Sequence, residues 1–382
     1  MLVVSGIANT FPVFFPALLA EFGGTRAATA SAVSLMWGVG AAVGPVAGYL
    51  VDRWSPRLVV AAGLGAAALG LSGAMLAPSL PLFILALGLG GGTGFGLTGM
   101  APQAAVIADA FVRRRGVATG IAFSGSMAGY VLSSPAQWAI AALGWRATFA
   151  GYLAMVLVLI PLVLRVYPAR LGGARGRGGA APAAPQRLAG ILRGLPFWAL
   201  AFMFVNAPLV GYLATLQHAL YFDRLGFPAA EAAAMLAVGG VLATAGRALV
   251  GLAADRAGAP AASLATLVLS LVGTLCLAGL EVWPSRVLAY AYVVLLFLPL
   301  GTRAVVVPLL MPRFVPPARF GTVFGWMVLG NSAGAALGPL LSGALYDLTG
   351  SYAWLYLTAA VLLALSLLAL VVFLVRTARD GP

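Results

Sequence analysis

The chain has 382 residues, of which 62% are hydrophobic and only 8% charged. A water-facing domain surface needs roughly a quarter of its residues charged, so this composition excludes a soluble globular protein and requires a lipid-facing surface. The net charge of +13 comes from 22 arginines and no lysine, and the arginines fall in the gaps between apolar runs rather than on one face, which argues against a nucleic-acid-binding patch.

A membrane-crossing helix needs about 20 mostly apolar residues, and a backbone in lipid is satisfied only in helices or closed barrels. The apolar runs here are continuous rather than alternating. They predict helices over 1–21, 28–51, 58–77, 81–110, 115–142, 147–167, 196–221, 229–253, 261–280, 286–311, 320–345 and 353–375. The opening run lacks the basic region and small-residue cleavage pattern of a signal peptide, so it is read as the first membrane helix. Cys276 is the single cysteine and lies inside an apolar run, which leaves no intramolecular disulfide and no cysteine metal site. Segment 169–195 is rich in Gly, Ala, Pro and Arg and reads as a linker. The expected fold is therefore an all-α membrane protein of twelve transmembrane helices in two pseudo-symmetric six-helix bundles. Its domains are 1–168, the linker 169–195, and 196–382.

Arginine placement sets the orientation. With the first helix running outward, sixteen arginines fall in inside gaps and four in outside gaps: Arg26, Arg146, Arg224 and Arg286. Arg247 and Arg303 fall within spans. Both termini and the linker are expected to be cytoplasmic, in a bacterial inner membrane.

The two halves repeat. Gly48, Asp52 and Arg53 follow the second span, and Gly251, Asp255 and Arg256 follow the eighth, 203 residues later. Gly116, Gly120, Gly125 and Gly129 of the fifth span recur as Gly321, Gly325, Gly330 and Gly334 of the eleventh, all shifted by 205. Duplication of a six-helix unit is a transporter architecture, with the substrate site between the halves near midplane.

The motif GYLVDRWSPR (48–57) resembles the cytoplasmic loop signature of the major facilitator superfamily, and GLAADRAG (251–258) resembles its second-half copy. DAFVRRRGVATGIAFSGSMAG (109–129) with GWRATF (144–149) is similar to the branch of monocarboxylate transporters and oxalate/formate exchangers. The resemblance implies alternating access, a substrate-binding arginine eight residues before the loop aspartate, here Arg247, and conformational gating by Gly48, Asp52, Arg53, Asp255 and Arg256. Two positions depart from the branch. Ala243 stands where animal monocarboxylate transporters carry an acidic residue, and Leu329 stands where the oxalate exchanger carries a lysine. Arg303 is placed to supply that second charge.

An arginine at a helix centre costs roughly 2.5–3.5 kcal/mol on insertion scales, its guanidinium stays charged, and it matches a carboxylate bidentately. No Asp or Glu falls deep in any predicted span. Arg247 and Arg303 are thus candidate ligands of an anionic substrate. The competing readings are that Arg247 snorkels to the surface and that Arg303 bonds carbonyls beside neighbouring Pro and Gly. Asn9, Gln103, Tyr130, Asn206, Tyr212 and Asn331 are polar residues within spans. They face the interior, either to contact substrate or to tie helix to helix. His218 is the single histidine, a proton-coupling candidate or a polar residue of the outer vestibule. The Gly-rich GLGGGTGFG (88–96) has no preceding strand and reads as helix packing, not a phosphate loop.

The expected function is secondary transport of a small organic anion, a monocarboxylate, coupled to protons or a counter-anion. The protein is expected to be monomeric, with no cofactor, metal or nucleic-acid partner. The alternative is export of a hydrophobic or drug-like compound, with both arginines structural. A membrane enzyme is disfavoured because no metal-binding His motif, His/carboxylate cluster or phosphate loop occurs.

Overall fold

The structure, a computed structural model, describes residues 2–99, 102–103, 106–107, 125–127, 129–169, 188–316 and 320–379. The arginine run Arg113–Arg115, Gly116, Gly120 and residues 170–187 of the linker lie outside the described residues.

Every regular element among the described residues is helical. Nine helices there are long and apolar enough to cross a membrane, and a bent pair makes a tenth. That pair is the first span, Leu2–Asn9 and Phe11–Phe22, which turns by 54° at Thr10. Pro12 sits in the first turn of the second piece, where its missing N–H breaks the helical ladder. The second and third spans, Arg26–Arg53 and Pro56–Leu76, are continuous. The fourth begins as Leu80–Leu85, passes through a π-helical turn at Ala86–Gly91, and continues as Gly92–Thr98. Its glycines serve close packing, as read from the sequence. A Cβ on Gly70 would stand 2.6 Å from the backbone nitrogen of Gly91, and one on Gly94 only 2.8 Å from the carbonyl oxygen of Gly63. Small residues let membrane helices approach backbone to backbone where lipid gives no hydrophobic drive. The fifth span ends in Ser133–Leu143 and the sixth is Trp145–Val166.

In the second half the seventh span is Leu195–Thr215 with a short continuation His218–Arg224, and the eighth is Ala229–Ala257. The ninth is Ala259–Gly279. The tenth was expected as one helix over 286–311, but it is broken. Arg286–Phe297 and Arg303–Leu310 are separated by a turn at Leu298–Thr302. Pro299 cannot donate to the ladder and Gly301 adopts φ +75°, so the sequence Leu-Pro-Leu-Gly-Thr ends one helix and starts another. The eleventh and twelfth spans are Phe320–Thr349 and Tyr352–Arg379.

The helices gather into two compact units. One holds Met1–Arg177 together with Thr215–Val241 and Pro339–Leu348, so pieces of three second-half spans are part of it. The other holds Gly178–Ala214, Leu242–Gly338 and Thr349–Pro382.

Within these units the duplicated fifth and eleventh spans do the same job. In the first unit a Cβ on Gly129 would stand 2.8 Å from the backbone nitrogen of Gly6, so spans one and five touch at glycine. In the second unit a Cβ on Gly334 would collide with the carbonyl oxygen of Val205, so spans seven and eleven touch likewise. Each contact carries a polar tie. Asn9 donates to the carbonyl of Ser126 at 2.6 Å, and Asn331 donates to the carbonyl of Phe204 at 2.7 Å. Ser126 and Asn331 are related by the same 205-residue offset as the glycines.

Candidate functional site

The break in the tenth span organises the site. Turn bonds replace the helical ladder there: Leu300 donates to Phe297 at 2.9 Å, and Thr302 donates to Pro299 through its backbone at 3.2 Å and its hydroxyl at 2.7 Å. Thr302 then accepts from Val305 and Val306, which starts the second half-helix. The eighth span crosses this turn at its closest approach. A Cβ on Gly246 would collide with the carbonyl oxygen of Leu298, so only glycine fits.

Arg247 follows directly. Its guanidinium lies on the bare face of Gly301, where a Cβ would stand 2.8 Å from Nη2 and 3.1 Å from Nε. Arg303, two residues further on, opens the second half-helix. It shares that helix's buried face with Val306, Val307 and Leu310. Val306 belongs to one buried cluster with Ala254 and Ala262, against which Val250 of the eighth span packs. Arg303 lies one turn before Val306, and Arg247 one turn before Val250. Both arginines therefore stand on the same side of this apolar contact, at the level of the break. Arg303 is only 4% exposed, and its Nε and Nη2 have no hydrogen-bond partner among the described residues. The Arg247 guanidinium and the start of the half-helix that carries Arg303 thus lie at one backbone break.

The other polar candidates are tied elsewhere. Asn9 and Asn331 make the inter-span ties described above. Asn206 donates to the Ser366 hydroxyl at 3.3 Å, joining spans seven and twelve. Gln103 accepts from the Tyr167 hydroxyl at 2.6 Å beside a mostly apolar cavity of about 280 Å³ in the first unit, lined also by Val4, Leu64, Thr98 and Val163. Tyr130 is hydrogen-bonded to Thr215, and its Cβ would lie 2.6 Å from a Cβ on Gly240. Tyr212 packs against Gly338. His218 is buried, with Nε2 3.0 Å from the carbonyl oxygen of Ala232 and its ring 4.3 Å from that of Phe222. Among the gating candidates, Asp255 and Arg256 are exposed at the end of the eighth span, and Gly48 lies in the last two turns of the second. Asp52 and Arg53 close the second span, but their side chains are outside the described part.

The sequence reading passed over the groups at the opposite ends of these helices. In the first unit Glu21 and Arg146 form an ion pair, and Trp145 also donates to Glu21. Asp347 accepts from two backbone N–H groups at the start of the second span. The sequence signal was only the presence of acidic residues at span ends, without any hint of their partners.

The model of the Major Facilitator Superfamily matches residues 1–312. Monocarboxylate transporter 13 of Bos taurus is 29% identical over 372 residues, covering 94% of this chain and 84% of the relative. Monocarboxylate transporter 11 of Mus musculus is 31% identical, covering 93% of this chain and 80% of the relative. A solved bacterial homolog of the human lysosomal transporter Spinster, in an inward-facing and occupied conformation, superposes with a TM-score of 0.71 at 18% identity. It covers 99% of this chain and 93% of that one, and the likeness carries the fold. The expected all-α architecture of twelve spans in two bundles stands on these matches and on the helices described above. This chain belongs to the major facilitator superfamily of membrane transporters, with monocarboxylate transporters among its relatives.

Proposed function

We propose that this chain is a secondary carrier of a small organic anion, in the monocarboxylate class, that works by alternating access with Arg247 as the carboxylate ligand. The observation that carries this reading is the guanidinium of Arg247 laid on Gly301 at the break of the tenth span, two residues in sequence from the buried Arg303. Two cations at one level of an apolar bundle each cost a few kcal/mol, and an anion bound between them offsets that cost. The printed names of the relatives supply the substrate class, and the charge of the site agrees with it. Coupling is to a proton or a counter-anion. Asp52 with Arg53, and Asp255 with Arg256, are proposed to brace the inner ends of the spans, with Gly48 allowing close approach. The sixteen-to-four arginine count supports cytoplasmic termini in a bacterial inner membrane, and the protein is proposed to act as a monomer.

The test is uptake by protein reconstituted in liposomes, with lactate, pyruvate, formate, oxalate and an uncharged control. Saturable, mutually competing uptake of carboxylates with none of the control is expected. Transport of an uncharged hydrophobic compound that carboxylates do not compete with would instead support export with structural arginines.

One observation favours a second reading within this class. Arg303 brings a second guanidinium with two nitrogens that have no partner among the described residues, which suits an anion with two acidic groups. Tighter binding of oxalate than formate, lost in Arg303→Gln but with formate binding kept, would select it.

A further inference from the structure

The first unit contains a polar cluster that joins the start of the second span to the ends of the seventh and eleventh, residues that belong to opposite halves of the duplication. Asp347, near the end of the eleventh span, sits across the N-terminus of the second. Its Oδ1 accepts the backbone N–H of Arg26 at 3.1 Å and its Oδ2 that of Ala27 at 2.8 Å. Thr25 caps the next N–H, that of Ala28, at 3.1 Å. The first three N–H groups of a 28-residue helix are thereby satisfied, two of them by a carboxylate 320 residues away in sequence. The Arg26 side chain turns the other way. Its guanidinium lies 3.5 Å over the ring of Tyr346 and donates to Gln217 Oε1. Gln217 occupies the turn between Thr215 and His218 in the seventh span and is 1% exposed. Its amide donates to the carbonyl of Ser342 at 2.7 Å. Backbones come together beside the cluster, since a Cβ on Gly343 would stand 2.5 Å from Ala27 Cα. Two turns deeper, Ser34 Oγ accepts the backbone N–H of Leu340 at 3.1 Å.

We propose that Asp347, Arg26 and Gln217 form a latch that holds this end of the carrier shut and is released and remade in each transport cycle. Three features fit a contact that must open. Asp347 is exposed, so water can replace it on the N–H groups and solvate the freed carboxylate. The main bond is charge to helix terminus, a modest interaction that either side can regain without a unique rotamer on the partner. The cluster also links residues of the two halves, whereas the Glu21–Arg146 pair at the same end of the chain's helices lies wholly within the first half. Arg146 also donates to the carbonyl of Met75 at 3.1 Å, so that pair closes a helix bundle rather than a passage. The latch does not depend on what the carrier transports.

The test is maleimide labelling of Ser31→Cys in a Cys276→Ser background, using purified full-length protein without substrate. Ser31 lies on the second span between Ala27 and Ser34, on the face closed by the eleventh. Wild-type labelling should be slow. Asp347→Asn, which keeps shape and loses charge, and Asp347→Ala should label roughly two- to fivefold faster. Arg26→Gln should act in the same direction. Glu21→Gln should leave the rate unchanged. Wild-type rates in Asp347→Asn, in protein that elutes as a single folded species, would overturn the latch. So would equal acceleration by Glu21→Gln, because the effect would then be general loosening.

Discussion

The guanidinium of Arg247 rests on Gly301, a residue with φ +75° at the break of the tenth span. Gly301 could not be changed without disturbing Arg247. Any side chain at 301 would enter the space of Arg247, and any L-residue there would hold a backbone conformation that costs roughly 1–2 kcal/mol. Gly301→Ala is therefore expected to lower stability by about that much and to weaken carboxylate binding, because the Cβ displaces the guanidinium. Thermal unfolding and ligand-induced thermal shift measure the two effects. Unchanged carboxylate affinity in a destabilised Gly301→Ala protein would separate the glycine from the site.

Asn9 and Asn331 make equivalent ties in the two halves, to the carbonyls of Ser126 and Phe204. Inter-helix hydrogen bonds in membrane proteins contribute on average about 0.6 kcal/mol and at most about 1.7. Asn9→Ala and Asn331→Ala should each lower stability within that range and leave carboxylate affinity near wild type. A large loss of affinity without loss of stability would return either residue to the substrate site.

The ring nitrogen of His218 lies on the Ala232 carbonyl and its ring against that of Phe222. We expect His218→Gln to keep the wild-type pH dependence of uptake, with the proton carried elsewhere or by the substrate. If instead the variant exchanges substrate but no longer responds to pH, His218 is the coupling residue.

The sequence carried the architecture because the signals for it are local or repeated. Twenty-residue apolar runs, arginine placement and four glycines at one offset all survive without knowledge of contacts. Gly129 and Gly334 show why the glycine repeat exists, since each meets a partner backbone. The site was legible in part. Arg247 and Arg303 stood out because a charge in an apolar run is expensive wherever it points. The contact of Arg247 with Gly301 was not legible, because it depends on the tenth span breaking rather than running through. Pro299 and Gly301 carried that signal, but a proline within an apolar run is also compatible with a kinked, continuous helix. Asn9, Gln103, Asn206 and Asn331 could be recognised as polar groups needing partners, and which partner each takes is set by the fold. Asp347 was silent in sequence, because its partners are backbone N–H groups 320 residues away.

The central claim is that Arg247 holds the carboxylate, and the affinity of purified protein for a carboxylate in wild type, Arg247→Ala and Arg247→Lys tests it most directly. Arg247→Ala should fold, since removing an intramembrane charge relieves a cost. It should lose about 1.5–3 kcal/mol of binding, the contribution of a charge-assisted hydrogen bond. Arg247→Lys keeps the charge but not the planar fork, so it should fail to restore affinity. Wild-type affinity in Arg247→Ala, read by scintillation proximity or thermal shift, would contradict the account and leave Arg247 a structural residue of the eighth span.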